Sequence, residues 1–237
     1  MSSERRAACA PGAACPRAIP AAKGRGAGRE AWLERLAALP LPQAPVIVDG
    51  GANKGNVTAR LLTTFPGARV EAFEPQPRLA RKLAKRFAGD ARVRVHALAL
   101  GEAPATLTLS VMNRPTLSSL LPPTGIRDKY AGQALSIAQT IDVPVARLDA
   151  VLDRADVIKL DLQGYELPAL RGATVLLGGV SAIVAETART PLYAGQALLP
   201  ELEAFLGEFG FTLDGVYECF RDGDGRIVSG DALFRRA

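Results

Sequence analysis

Four carboxylates stand where apolar runs of this 237-residue chain end: Asp49 after Val46-Ile-Val48, Glu74 after Arg69–Phe73, Asp161 after Val157-Ile-Lys-Leu160, and Glu186 after Ala182-Ile-Val-Ala185. Short β-branched runs of this kind read as buried strands, and an open α/β sheet binds ligands at the carboxyl ends of its strands. Acids collected on that edge favour a cationic ligand. Asp49 also opens the turn Asp49-Gly-Gly-Ala-Asn-Lys-Gly55. Its glycines let a ligand approach the backbone, and the helix after it starts with N–H groups that have no partner within the helix. This is a nucleotide-site geometry, although Asn53 stands where GxGxxG has its middle glycine, and a plain βα turn capped by Asn53 would look the same. Glu74, 25 residues after Asp49, is placed to accept hydrogen bonds from both hydroxyls of an adenosine ribose, and its charge would repel a 2′-phosphate. Lys159 and Asp161, two residues apart in a strand, point to one face as either a buried ion pair or part of a reaction centre.

These residues need strands and helices to carry them. After a helix at Glu30–Leu39, stopped by Pro40 and Pro42, strands at 45–48, 69–73, 92–98, 157–160 and 182–185 alternate with helices at 56–65, 77–87, 166–177 and 198–209. Such alternation implies βαβ units and a Rossmann-like α/β fold, a mostly parallel sheet with helices on both faces. Residues 105–111 alternate like an antiparallel strand, and the Pro-rich stretch to about 140 reads as an insertion (102–140) over the site. Phe211–Phe220 and Arg226–Phe234 around Arg221-Asp-Gly-Asp-Gly225 form a C-terminal antiparallel hairpin. That turn lacks the later ligands of a calcium loop. Glu166 in a first helical turn is explained by the helix dipole more readily than by catalysis, His96 by packing in its strand more readily than as a base, and Ser118-Ser119-Leu120 in the insertion equally by loop capping or by contact with a ligand.

Composition narrows the chemistry further. The net charge is +5, but residues 1–30 hold six Lys/Arg against two Glu, which leaves 23 basic and 22 acidic residues in the body. The Ala/Gly/Pro/Arg-rich residues 1–29 read as a disordered basic tail, residues 30–44 as a helix and linker, and 45–237 as the catalytic domain. A near-neutral body argues against nucleic acid as a partner. No apolar run reaches the roughly 18 residues of a membrane span, and the charged start lacks a signal-peptide core, so a cytoplasmic location is expected. Cys9, Cys15 and Cys219 offer no CxxC pair, and with His96 alone neither a zinc protease nor a Ser-His-Asp hydrolase has its parts.

Val46-Ile-Val-Asp-Gly-Gly-Ala-Asn-Lys-Gly55, Phe73-Glu-Pro-Gln-Pro77, Ala97-Leu-Ala-Leu-Gly101, Ile158-Lys-Leu-Asp-Leu-Gln-Gly-Tyr-Glu-Leu167 and Asp231-Ala-Leu-Phe234 resemble, in order, the successive motifs of FkbM-type methyltransferases. The resemblance implies a class I methyltransferase fold with S-adenosylmethionine as cofactor, and O-methylation of natural products, sugars or glycans. Carried over by position, it places the cofactor on Asp49, Gly50, Gly51, Ala52, Asn53, Gly55, Glu74, Pro75, Ala97 and Leu98. Of these, Asp49, Gly51, Asn53 and Gly55 hold the methionine moiety, Glu74 the ribose, and Ala97 and Leu98 the adenine edge. Methyl transfer needs an aligned acceptor oxygen and a destination for its proton. Asp161 is the candidate base, with Lys159 and Glu186 supporting it or positioning the acceptor. Gln163 replaces an acid often found in that family, and no metal ligand is assigned. Two competing readings remain: a nicotinamide-dependent oxidoreductase, and a catalytically silent protein of the same fold. The expected partner is a small-molecule or glycan acceptor; oligomeric state is not indicated.

Overall fold

A computed structural model describes residues 31–124, 130, 133–221, 225 and 227–236. The expected tail and residues 222–224 of the Asp-Gly-Asp-Gly turn lie outside these residues.

Helix α1 (Ala31–Ala37) leads to strand β1 (Val46–Gly50), helix α2 (Asn56–Thr64), strand β2 (Arg69–Phe73), helix α3 (Pro77–Arg86) and strand β3 (Val93–His96). After a second sheet come helix α4 (Leu148–Val151), strand β7 (Val157–Leu160), short helices α5 (Glu166–Arg171) and α6 (Thr174–Leu177), and strand β8 (Ala182–Ala188). Helix α7 (Leu199–Glu208) and the hairpin β9 (Phe211–Arg221) and β10 (Ile227–Arg236) close the chain. The main sheet has the order β3-β2-β1-β7-β8-β10-β9, parallel from β3 to β8 and antiparallel across β10 and β9.

Because β1, β7 and β8 are covered on both faces, their sequences are mostly apolar rather than alternating, with Asp49, Lys159, Glu186 and Thr187 as the polar exceptions. On one face Trp32 and Leu36 of α1 and Leu61 of α2 pack on Ile47, Val157 and Val184. On the other, Leu170, Leu177, Leu202 and Leu206 pack on Val48, Ile158 and Ile183. In α3 the buried Leu79, Ala80 and Leu83 lie opposite Arg78, Arg81, Lys82 and Lys85, all exposed. The near-neutral charge of the body thus includes one basic helix face. Among the described residues no helix is long and apolar enough to cross a membrane.

Three elements differ from expectation. The third strand stops at His96: Ala97 is exposed, and Ala99–Leu100 leave as β4 of a second sheet. The helix expected over 166–177 is broken at Gly172, where a Cβ would stand 1.9 Å from the Gly101 carbonyl oxygen, so α5 and α6 meet at a glycine packed directly on backbone. The insertion is more ordered than its composition suggests. β5 (Ala105–Met112) pairs antiparallel with β6 (Ile137–Ala146), and β6 pairs parallel with β4. β6 gives little sequence signal because most of its side chains are exposed and it contains Pro144.

Candidate active site

The turn after β1 runs through left-handed backbone at Gly51 (φ 77°), Asn53 (φ 51°) and Gly55 (φ 77°). A Cβ on Gly51 would lie 2.0 Å from the Asp161 carbonyl oxygen, so only glycine lets the β1 and β7 ends approach this closely. The Gly51 and Ala52 N–H groups both donate to the Phe73 carbonyl at 3.0 Å, which ties the turn to the end of β2. Glu74 follows there, only 3% exposed. Its Oε2 accepts the Asn53 N–H at 2.9 Å and its Oε1 the Gln76 N–H at 2.8 Å. Burial pushes the Glu74 carboxyl up to about 7, against the pull of these two N–H groups.

Beneath the turn, Asp49 is fully buried: Oδ2 accepts the Thr58 hydroxyl at 2.6 Å, while Oδ1 has no hydrogen bond and faces Lys159 Nζ at 3.8 Å. Lys159 Nζ also lies 3.7 Å from Asp161 Oδ2. Burial pushes the Asp49 carboxyl up. It pulls the Lys159 ammonium down, but Asp161, Asp49, Asp231 and Glu186 outweigh it, so Lys159 stays charged.

Asp161 begins the turn after β7, its side chain 42% exposed. Gln163 follows with φ 54° and Gly164 with φ 98°. The Gln163 Nε2 donates to Asp161 Oδ1 at 2.6 Å and to Glu186, and its Oε1 accepts the Tyr193 hydroxyl at 2.8 Å. Buried Glu166 holds this turn from within, its Oε1 accepting the Leu162 N–H at 2.8 Å and the Gly164 N–H at 3.3 Å. Burial drives its carboxyl to about 7.

These turns wall a cleft that encloses about 670 Å³, the open space at its mouth included. One side is Gly51, Asn53 and Phe73–Gln76, the far end Leu98–Leu100, and a third side Asp161–Gln163 with Tyr165. The insertion supplies the rest, through Leu109, Pro115, Thr116 and Ser118–Leu120. Ser119 pairs its backbone with Ser110 of β5, and its hydroxyl donates to the Gln163 carbonyl at 2.7 Å, so this wall is fastened to both sheets.

Residues 49–213 match the family model described as the methyltransferase FkbM domain. The chain belongs to the FkbM methyltransferase family. It is 30% identical to the methyltransferase sdnD of Sordaria araneosa over 201 residues, 73% of this chain and 76% of that protein. It is 28% identical to the 2-O-methyltransferase NoeI of Sinorhizobium fredii over 203 residues, covering 81% and 79%. Among solved structures it resembles an FkbM methyltransferase from Methylobacillus flagellatus, with TM-score 0.56 and 19% identity over 85% of this chain; it spans only 46% of that longer protein.

In this methyltransferase, Gly51, Asn53, Glu74, Pro75, Leu98 and Asp161 line the cleft. The other named residues stand behind the wall or away from it. Asp49 and Lys159 lie beneath it as an ion pair, and a Cβ on Gly50 would meet Leu160. Ala52 packs with Ala72 and Leu83. Gly55 faces Phe87 and Leu83, which leave no room for a Cβ. Ala97 is exposed, and the far end is built by Leu98, Ala99 and Leu100 instead. Glu186 is absent from the lining of the cleft and is tied to it through Gln163; β8 runs on past it to Ala188. His96 bonds Glu71 at 2.6 Å and stacks on Phe73 behind the cleft. Sequence reasoning missed Thr58 and Tyr193, two polar side chains with no acid, glycine or motif position to single them out, and gave no role to Gln76 inside the Phe73–Pro77 motif. The order of strand and acid would have pointed only to their neighbours.

Proposed function

We propose that this methyltransferase uses S-adenosylmethionine to methylate a hydroxyl group of a small natural product, sugar or glycan. The carrying observation is Glu74: a buried carboxylate fixed by two backbone N–H groups, one lone pair of each oxygen used, on the wall of a cleft that also holds Asp161. A carboxylate held in this way suits a vicinal diol. Gly51 presents bare backbone on the cleft wall, which suits close approach of an extended ligand chain, and Phe73, Leu98 and Leu100 offer an apolar wall for a base. The residues therefore fit the cofactor: Glu74 for the ribose, Gly51 and Asn53 for the methionine moiety, and Leu98 with its neighbours for adenine. When bound, the cofactor supplies an electrophilic methyl on a cationic sulfonium.

The chain's own contribution is placement and proton handling. Asp161, half-exposed between Lys159 and Gln163, is the group to receive the acceptor's proton. Lys159 stabilises the Asp161 carboxylate from beneath, and Glu186 shares the amide that orients it. The insertion wall of residues 115–120 excludes water and shapes the acceptor side. The name of the relative NoeI, a 2-O-methyltransferase, supports oxygen as the methylated atom.

Calorimetric titration with S-adenosylhomocysteine, with NAD in parallel, tests the reading before any acceptor is known. Saturable binding of S-adenosylhomocysteine alone is expected and justifies an acceptor screen of sugars, glycans and hydroxylated small molecules. Binding of NAD alone would overturn the reading in favour of a nicotinamide enzyme, and binding of neither would leave a silent member of the fold.

A further inference from the structure

A primary amide nitrogen carries two hydrogens, and at Gln163 both are used on carboxylates: one on Asp161 Oδ1 at 2.6 Å, the other on Glu186. Two carboxylates converging on one point repel each other unless a donor or a cation stands between them. Here a neutral side chain does. Its orientation is set from the other end, because the buried Tyr193 hydroxyl donates to Oε1 at 2.8 Å. A flipped amide would face that hydroxyl with NH₂ and both carboxylates with its carbonyl oxygen. The backbone is equally constrained: Gln163 holds φ 54°, a left-handed conformation sparsely populated by residues with a Cβ, and the Ser119 hydroxyl donates to its carbonyl at 2.7 Å. Such conformations persist where the surroundings over-determine them and cluster at functional sites.

We propose that the Gln163 amide is the positioning residue of the reaction centre, bridging Asp161 and Glu186 as a neutral substitute for a cation and fixing the Asp161 carboxylate toward the cleft. This rests on the methyl-transfer reading of the site. With Oδ1 tied to the amide, Asp161 turns Oδ2 toward Lys159, and the carboxylate meets an acceptor hydroxyl in one orientation. The titratable groups around the bridge are Lys159 from β7, Asp49 from β1 and Asp231 from β10, which interact with one another through Lys159, and Glu166 and the neutral Tyr193 on the adjoining turn and loop. Gln163→Glu places a third carboxylate between two, so that variant requires a cation where the wild-type chain does not.

The full-length protein saturated with S-adenosylhomocysteine provides the test. In ¹⁵N-resolved spectra, the Gln163 NH₂ pair, assigned by its loss in Gln163→Ala, is expected downfield of the other glutamine side chains and protected from exchange. Tyr193→Phe should return it toward ordinary positions. Gln163→Glu should keep the S-adenosylhomocysteine dissociation constant within about threefold, lose thermal midpoint as pH rises, and regain it with MgCl₂, to which the wild type is indifferent. On the acceptor that the screen returns, its kcat should fall at least about tenfold with KM for the cofactor unchanged. An ordinary, freely exchanging Gln163 amide, or a Gln163→Glu protein indifferent to both pH and magnesium, overturns the proposal. Should that variant not fold, the wild-type amide pair decides alone. Failure of the wild type to bind S-adenosylhomocysteine would instead sink the methyl-transfer reading, which the amide spectrum of the free protein distinguishes.

Discussion

Lowering the pH should weaken cofactor binding through Glu74, and the size of the effect follows from its burial. Its carboxyl lies at about 7 in the free protein against an ordinary 4.5, burial being the largest cause. The folded state therefore holds more protons than the unfolded chain between those two values, and stability falls as pH rises through that window. The limiting cost is on the order of 3 kcal/mol, from 1.36 kcal/mol for each tenfold change in proton affinity. Ribose hydroxyls that donate to the carboxylate favour its charged form and lower its pKa in the complex. The sign of the binding effect is then fixed: affinity for S-adenosylhomocysteine is greatest above pH 7 and declines below it.

If the pKa in the complex falls below 6, the dissociation constant rises about tenfold between pH 8 and pH 6. At pH 7 the free carboxyl is half protonated, so binding releases about half a proton. Calorimetry in two buffers of different ionisation enthalpy measures both quantities. Glu74→Gln keeps the shape, loses the charge, and should bind weakly with no slope over this range. A flat wild-type profile would refute the ribose assignment, and so would a Gln variant with the wild-type slope, which would move the titration to Asp161 or Glu166.

Lys159→Met leaves Asp49 fully buried without its countercharge and should destabilise the fold by about 3–5 kcal/mol in urea denaturation, with a milder loss in an Asp49→Asn background. Equal losses in both backgrounds would show that the pair is not coupled. Gly51→Ala drives a Cβ into the Asp161 carbonyl at φ 77° and should cost at least about 2 kcal/mol along with cofactor binding, whereas normal affinity would mean the two strand ends can separate. Asp161→Asn should retain S-adenosylhomocysteine affinity and lose about 10²–10⁴ in kcat; unchanged turnover removes Asp161 from the base role.

What the sequence made legible follows from which signals are local. Val46–Val48 and, apart from Lys159, Val157–Leu160 are apolar on both faces, as buried parallel strands are, so the sheet and the acids at its edge could be read directly. Gly51 and Glu74 were legible because their chemistry depends on position in one βα unit. The split at Gly172 was not, since it depends on a carbonyl 71 residues away at Gly101. β6 was hidden for a related reason: its exposed side chains carry no period, and its place is set by backbone pairing with β5 rather than by burial. Glu186 was read as a strand end because the apolar run Ala182–Ala185 stops before it; the parallel ladder with β7 does end at Ala185, but β10 continues the pairing through Asp231 opposite Glu186.

The same distinction explains why the reaction end is harder to read than the cofactor end. Glu74 and Asn53 come from one βα unit and its neighbour, and the turn that joins them is encoded within 26 residues of chain. The Asp161–Gln163 turn is held by Ser119 from the insertion, Tyr193 from the loop after β8, and Glu166 from α5. The insertion and that loop are themselves bound together, the Ala194 N–H donating to the Pro122 carbonyl and the Thr124 N–H to that of Leu192. A change in the insertion therefore reaches Asp161 through Gln163, while its link to the Glu74 side is the longer contact of the Gln76 amide with the Pro115 carbonyl at 3.5 Å. On the proposed reading, acceptor specificity and cofactor affinity should therefore respond to different substitutions, because different parts of the chain hold the two ends of one cleft.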